Sequence, residues 1–360
     1  MGFSRSDLRL IGIAAAATIA AGFTNYAEVG GKIIPFILCA LALALLASLV
    51  GRSVEALGDR LGAGATGVVQ SALGNLPELF VVLFALKEGL YDVATASLVG
   101  SILANVLLVL GLAFVVGGVK NGTQKFGKKA VTRISLLLVL SVGALLVPSL
   151  TSVLHTPAAG HERALSIAVS ILLLLLFAAS LPASIKKHAP ETASETASDT
   201  AAEPEAHHAW PLGVAVGMLA LTGVGAAFVS EWFVTALEPA MDSLHISQAF
   251  AGLVIVAIAG NAVENVVGIQ LAARNQSDYA VSVILQSPLQ ITLVVAPALV
   301  LLSPLVGASF TLVLSPLLIA VLIMAVVVTV LVVLDGESDW LEGATLIVLY
   351  CIIATAFWWG

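Results

Sequence analysis

The stretch Gly74-Asn75-Leu76-Pro77-Glu78-Leu79-Phe80 decides how the rest of the chain is read. Glu78 is the only charged residue between Arg60 and Lys87. A carboxylate in so apolar a run is costly in a bilayer and persists where it has a partner or a task. The pattern has a twin 186 positions later, Gly260-Asn261-Ala262-Val263-Glu264-Asn265. The same shift carries Asp92 onto Asp278 and Ser101 onto Ser287. Two polar patterns, a loop aspartate and a following serine in one register point to an internal repeat, the build of many transporters.

Working outward, the composition fixes the class. Of 360 residues, 59% are hydrophobic and only 10% charged, with a mean hydropathy of +1.08. Soluble domains carry about 25% charged residues, so this is an all-α polytopic membrane protein. Eleven spans are predicted, at about 9–25, 33–50, 66–86, 93–118, 132–151, 164–184, 211–237, 249–272, 279–302, 310–333 and 340–358. The run after Arg5 and Arg9 is read as a retained first helix, not a signal peptide, because ten more spans follow. With the N-terminus in the cytoplasm, 12 Lys and Arg fall inside and 3 outside. This agrees with the positive-inside rule and puts the C-terminus outside. A multi-pass protein of the plasma membrane, in bacterial terms the cell inner membrane, is expected.

The longest loop, 185–210, is rich in Ala, Thr, Ser, Pro and Glu and cannot build a core. The chain then divides into an N-terminal transmembrane helix (1–30), a first five-helix repeat (31–184), a cytoplasmic acidic linker (185–210) and a second five-helix repeat (211–360). Five is odd, so the second repeat enters the membrane from the opposite face. Inverted repeats of this kind place a binding site near the midplane, between the halves.

Asn75 and Glu78 share a helix face at i and i+3, as do Asn261 and Glu264. Pro77 is expected to break the third span and free a backbone carbonyl. Carboxylate, amide and backbone oxygens together suit a hard cation. Asn75 and Asn261 also suit helix–helix hydrogen bonds. The span after each glutamate adds Ser97, Gly100, Ser101 and Asn105 in the first half, and Ser282, Gln286, Ser287 and Gln290 in the second. Ser101 and Ser287 are candidate ligands by symmetry, with interhelical bonding as the competing role. Pro288 predicts a second irregularity. Glu55, at the inner end of the second span, either pairs with Arg52, faces water or serves an ion path. Glu231 lies mid-span with no Lys or Arg nearby in sequence, and is assigned, with Glu55 and Gln290, to a proton or cation pathway.

Two carboxylates facing each other at the midplane cannot both stay ionised and empty at low cost. Protons or a divalent cation neutralise them, and if the two loads exclude each other their flows are coupled. No GxxxxGK[ST] loop for a nucleotide is present, nor a basic aromatic patch for nucleic acid. There is no zinc-spaced His/Glu cluster and no activated nucleophile, so neither an enzyme nor a resident cofactor is expected. Cys39 and Cys351 read as buried thiols. Phe80, Phe84 and Phe228 read as packing or lipid-facing residues. Trp340, Trp358 and Trp359 fit an interfacial belt, and Asp335, Glu337 and Asp339 a solvated inner loop.

These motifs resemble those of the calcium/proton exchangers of the cation/calcium exchanger superfamily. The resemblance runs through Gly74–Leu79, Phe84-Ala85-Leu86-Lys87-Glu88-Gly89, Ala96–Asn105 and Gly260–Asn265, and covers essentially the whole chain. It implies secondary antiport of cytoplasmic Ca2+ for external H+ by alternating access, with Glu78 and Glu264 binding cation or protons in turn. It implies that Asn75, Asn261, Ser101 and Ser287 line the site, that Glu55 and Glu231 serve the cation path, and that helices 2 and 7 slide or tilt. The chain departs from the family's usual pattern at Asn265, where histidine is usual, at Gln286-Ser287-Pro288-Leu289-Gln290, and at Pro77. A monovalent cation (Na+ or K+)/H+ antiporter and an Na+/Ca2+ exchanger are the alternatives. The oligomeric state is left open, a homo-oligomer included.

Overall fold

A helix satisfies its own backbone, which is why spans with no water beside them fold as helices. The computed structural model describes residues 3–27, 30–61, 73–185 and 210–359, the side chains at 58–61, 181–185, 263 and 264 excepted. The helices, in chain order, are α1 (Arg5–Ala27), α2 (Ile33–Leu61), α3 (Leu76–Lys87), α4 (Tyr91–Asn121), α5 (Lys128–Val153) and α6 (Glu162–Ile185). After the linker come α7 (Leu212–Leu244), α8 (Gln248–Gly260), α9 (Ala262–Ala273), α10 (Ser277–Val306), α11 (Pro316–Val333) and α12 (Trp340–Phe357). Among the described residues nine helices are long and apolar enough to cross a membrane, or ten when α8 and α9 count as one bent span. The expected span 66–86 is described from residue 73 on, where it becomes α3. Gln70 and nearly all of the linker 185–210 lie outside the described residues. The fold is all-α and polytopic, with an inverted-repeat-like topology. The two-residue strands Gln124–Lys125 and Glu337–Ser338 pair antiparallel and tie two loops together.

The 186-residue spacing reappears in the elements. Leu76–Lys87 and Ala262–Ala273 have equal length and matching bounds. α4 and α10 each carry a π-helical segment, Ala104–Val109 and Ile291–Val295, at nearly the same register. Each glutamate is the third residue of its short helix. The irregularities expected at Pro77 and Pro288 are present, the chain breaking just before α3 and turning π-helical just after Pro288, but two more occur without proline. The second copy has no proline at the position matching Pro77, yet α8 and α9 still meet at 63° across Asn261. The first π segment likewise has no proline near it. Both breaks fall at a Gly-Asn step, and Pro77 sits in the first turn of α3, where a missing N–H costs nothing.

Small residues set the closest approaches. Gly100 of α4 lies on the backbone of Leu253 in α8, and Gly252 on the backbone of Val93. A Cβ at Gly111 would meet the Gly343 carbonyl at 2.7 Å, which seats α4 on α12. α2 packs along α7, with Phe36 stacked on Phe233 at 5.2 Å. α1 joins them through Gly22, which faces the Trp232 ring. At the other end Asp7 of α1 pairs with Arg52 of α2 and accepts from Trp210 Nε1 at 3.2 Å.

The predicted helix 310–333 begins only at Pro316. Residues 308–314 form neither helix nor strand and bend at Leu312, yet Ala308, Phe310, Leu312 and Leu314 are buried in alternation. Their amides find serine hydroxyls instead of a helix. Phe310 donates to Ser303 (3.1 Å), Leu312 to Ser166 (3.0 Å) and Leu314 to Ser149 (2.9 Å), while Ser149 donates to the Leu312 carbonyl (2.9 Å). Ser149→Ala is therefore expected to cost about 1–3 kcal/mol, the price of stranding a buried donor and acceptor. Thermal unfolding in detergent would test this against exposed Thr345→Ala, expected within about 0.5 kcal/mol of the parent.

Cys39 is buried, whereas Cys351 is exposed on α12, on the face that does not pack inward. Asp335, Glu337 and Asp339 are exposed as expected, and Asp339 caps α12 in a capping box with Glu342.

Candidate functional site

Glu78 is buried, 1% exposed, in the first turn of α3. That end of a helix carries partial positive charge from free N–H groups and favours a carboxylate. Ser101 of α4 donates its hydroxyl to Glu78 Oε1. Asn261, at the break between α8 and α9, donates from Nδ2 to Ser101 Oγ at 3.0 Å and to the Ala257 carbonyl at 3.0 Å. A Cβ built at Gly260 would lie 3.5 Å from the Glu78 Cβ, so the second Gly-Asn step sits directly against the first glutamate. Four helices from both halves thus meet at one buried carboxylate.

Asn75 does not share a helical face with Glu78. It is the N-cap of α3, and its side chain makes no cap bond. It reaches into the other half instead, donating to Gln290 Oε1 at 2.9 Å. Each asparagine thus crosses to the opposite repeat, but not symmetrically. Asn261 takes Ser101, whereas Asn75 passes over Ser287 for Gln290. Ser287 Oγ is left buried without a hydrogen bond among the described residues. Gln290, assigned to the pathway, belongs to this cluster. The Glu264 side chain lies outside the described residues; its backbone holds the position on α9 that Glu78 holds on α3.

The site also contains Asn105, which sequence reasoning named as polar but left out of the site. It opens with the π segment of α4, 1% exposed, and donates to the Ser101 carbonyl at 2.8 Å. The signal was there, an amide one turn after Ser101 inside a span. Asn105 Oδ1 and Asn261 Oδ1, like Ser287 Oγ, are buried oxygens with no hydrogen bond among the described residues. Buried polar atoms are nearly always paired, and unpaired oxygens beside a carboxylate are what a hard cation needs. Among the described residues no three His, Cys, Asp or Glu side chains cluster. The donors here are therefore one described carboxylate and neutral amide and hydroxyl oxygens.

The remaining acids lie apart from this cluster. Glu55 is exposed on α2 and makes no hydrogen bond or ion pair among the described residues; Arg52 is taken by Asp7. Glu231 has a cation after all. Lys87, at the end of α3, reaches Glu231 Oε1 at 2.8 Å, because α3 runs alongside α7. Its ammonium also lies 5.5 Å from the centre of the Phe84 ring. The hydrogen bond to Glu231 holds Lys87 above the ordinary lysine range. Below it an apolar cavity of about 390 Å3 separates α3 from α7, lined by Leu76, Phe80, Phe84, Gly223 and Phe228.

The sequence model of the sodium/calcium exchanger protein family matches residues 31–186 and 214–359. The chain belongs to this family. The exchanger is 36% identical over 323 residues to the Ca(2+)/H(+) antiporter ChaA of Bacillus subtilis (strain 168), covering 89% of this chain and 91% of that one. It is 33% identical over 341 residues to a Ca(2+)/H(+) antiporter of Synechocystis sp., covering 91% of each. Among solved structures, native YfkE superposes with a TM-score of 0.81 at 32% identity, covering 97% of this chain and 99% of that one. The exchanger is thus a secondary transporter, not an enzyme.

Proposed function

We propose that this exchanger moves Ca2+ out of the cytoplasm in return for H+, loading the two in turn on Glu78 and Glu264. The antiporters named above support this pair of ions. The observation that carries the mechanism is the chain Asn261–Ser101–Glu78, which ties a carboxylate of the first half to the Gly-Asn step of the second. Ionised, the carboxylates and the spare amide and hydroxyl oxygens attract a divalent cation. Protonated, they lose that charge and the cation leaves. Because one set of oxygens cannot hold both loads, the two flows are coupled, and alternating access carries whichever is bound.

The same reading takes the chain as eleven spans, one N-terminal helix and two inverted five-helix repeats, with its N-terminus in the cytoplasm and its C-terminus outside. Pairing of Gln124–Lys125 with Glu337–Ser338 supports this, since both loops are predicted on the inner face. Asn75, Gln290, Ser287 and Asn105 complete the lining of the site, and Glu55 is the inner acid on the approach.

The deciding experiment is ion uptake into liposomes holding the purified protein under an imposed pH gradient. Ca2+ flux that follows the pH gradient and is unaffected by a Na+ gradient is expected. Uptake driven by Na+ alone, or proton-coupled flux of Na+ or K+ without Ca2+, would replace this reading with one of the two alternatives.

A further inference from the structure

Among the described residues there are two side-chain ion pairs. Asp7–Arg52 lies within the group formed by α1, α2 and the start of α7. Lys87–Glu231 is different, for it joins α7 to α3, the helix that carries Glu78. Lys87 lies nine residues beyond Glu78, about 14 Å along the helix axis. The seam between α3 and α7 is otherwise apolar and holds the cavity already described, so this pair is the polar fastening across it. The repeat does not reproduce it. Ala273 stands at the position matching Lys87, and neither its neighbour Arg274 nor Glu55 of α2 makes an ion pair among the described residues.

We propose that Lys87 is a positioning residue of the exchange, whose pair with Glu231 fastens α7 to α3 on the outer side and favours the state closed to the outside. Inverted repeats make the two end states near copies of each other. What separates their energies is then whatever contact one half has and the other lacks. Opening the outer face draws α7 away from α3 and breaks this pair, whereas opening the inner face breaks no counterpart. A half-exposed pair contributes modestly, so its loss shifts the populations by about threefold, not by orders of magnitude. The sidedness rests on the topology proposed above.

The test uses the full chain in liposomes, with Cys39 and Cys351 replaced by alanine and spin labels at Tyr91→Cys and Ser243→Cys. Both positions are exposed, on α4 and α7, at the expected outer edge. Distance distributions are recorded for the parent, Lys87→Gln, Glu231→Gln and the exchange Lys87→Glu with Glu231→Lys. The longer-distance population is expected to rise about threefold in each single variant and to fall back in the exchanged pair. Unchanged populations in both single variants, or an exchanged pair that stays open, would overturn the proposal. A membrane-impermeant maleimide on intact cells checks the sidedness separately. Labelling of Ser243→Cys from outside supports it, and labelling only from inside overturns the topology while the distances still decide the fastening. None of these readouts needs Ca2+ flux, so a failure of the proposed exchange cannot be mistaken for a failure here.

Discussion

Glu78→Gln is expected to lower proton-driven Ca2+ flux by at least about a hundredfold, equivalent to about 2.7 kcal/mol. Glutamine keeps the size of the side chain and an oxygen to accept from Ser101, so the neighbours stay as they are. What it loses is the charge that attracts a cation and the proton that replaces it. The carboxylate is 1% exposed, so no water-filled space makes up the loss. The same change replaces a buried ionisable group by a neutral one of the same shape, and such replacements are often no less stable. Flux should therefore collapse while the unfolding midpoint in detergent holds or rises. Flux retained at the parental rate would remove Glu78 from the mechanism, and a collapse of both would mean that the residue acts through folding.

The second large effect concerns a residue with no chemistry of its own. Gly100→Ala is expected to destabilise the fold by about 3 kcal/mol or more, the upper range for overpacking. Its Cβ would overlap the backbone of Leu253, which has no free end to swing aside. Gly252 meets Val93 in the same way from the other helix, so α4 and α8 touch backbone to backbone. Gly143→Ala and Gly217→Ala are the controls, since a Cβ at either meets nothing within 4 Å. Those two should be neutral or slightly stabilising, because alanine is the better helix former. The measurement is folded yield and unfolding midpoint across the four proteins; equal behaviour would refute the close approach.

The sequence disclosed those parts of the molecule in which polarity is rare. Span positions follow from hydropathy because an unpaired backbone is intolerable in lipid. Glu78, Asn75, Asn261, Ser101 and Gln290 stood out as polar residues in apolar surroundings, and the structure joins Glu78 to Ser101 and Asn261, and Asn75 to Gln290. What stayed hidden are features that depend on which helix lies next to which. Lys87 is 144 positions from Glu231, and only the packing of α3 along α7 brings them together. The choice of Gln290 over Ser287 by Asn75 is of the same kind. Proline flagged the break before α3, whereas the matching break before α9 has no proline and stayed hidden within the span predicted at 249–272. The stretch 310–314 falls within the predicted helix 310–333 but is not helical, and its apolar residues suit either form. Three serines on distant helices and in a preceding turn decide the matter.

The lengths of α2 and α7 bear on the membrane itself. At 29 and 33 residues they extend about 44 and 50 Å, against a hydrocarbon core of about 30 Å. A helix cut to the bilayer has no slack, and any axial travel drags a polar end into lipid or strands an apolar one in water. These two helices carry surplus turns at their ends, so a shift of several ångströms leaves the core crossed throughout. A thicker or thinner host bilayer then alters their tilt more than their fit.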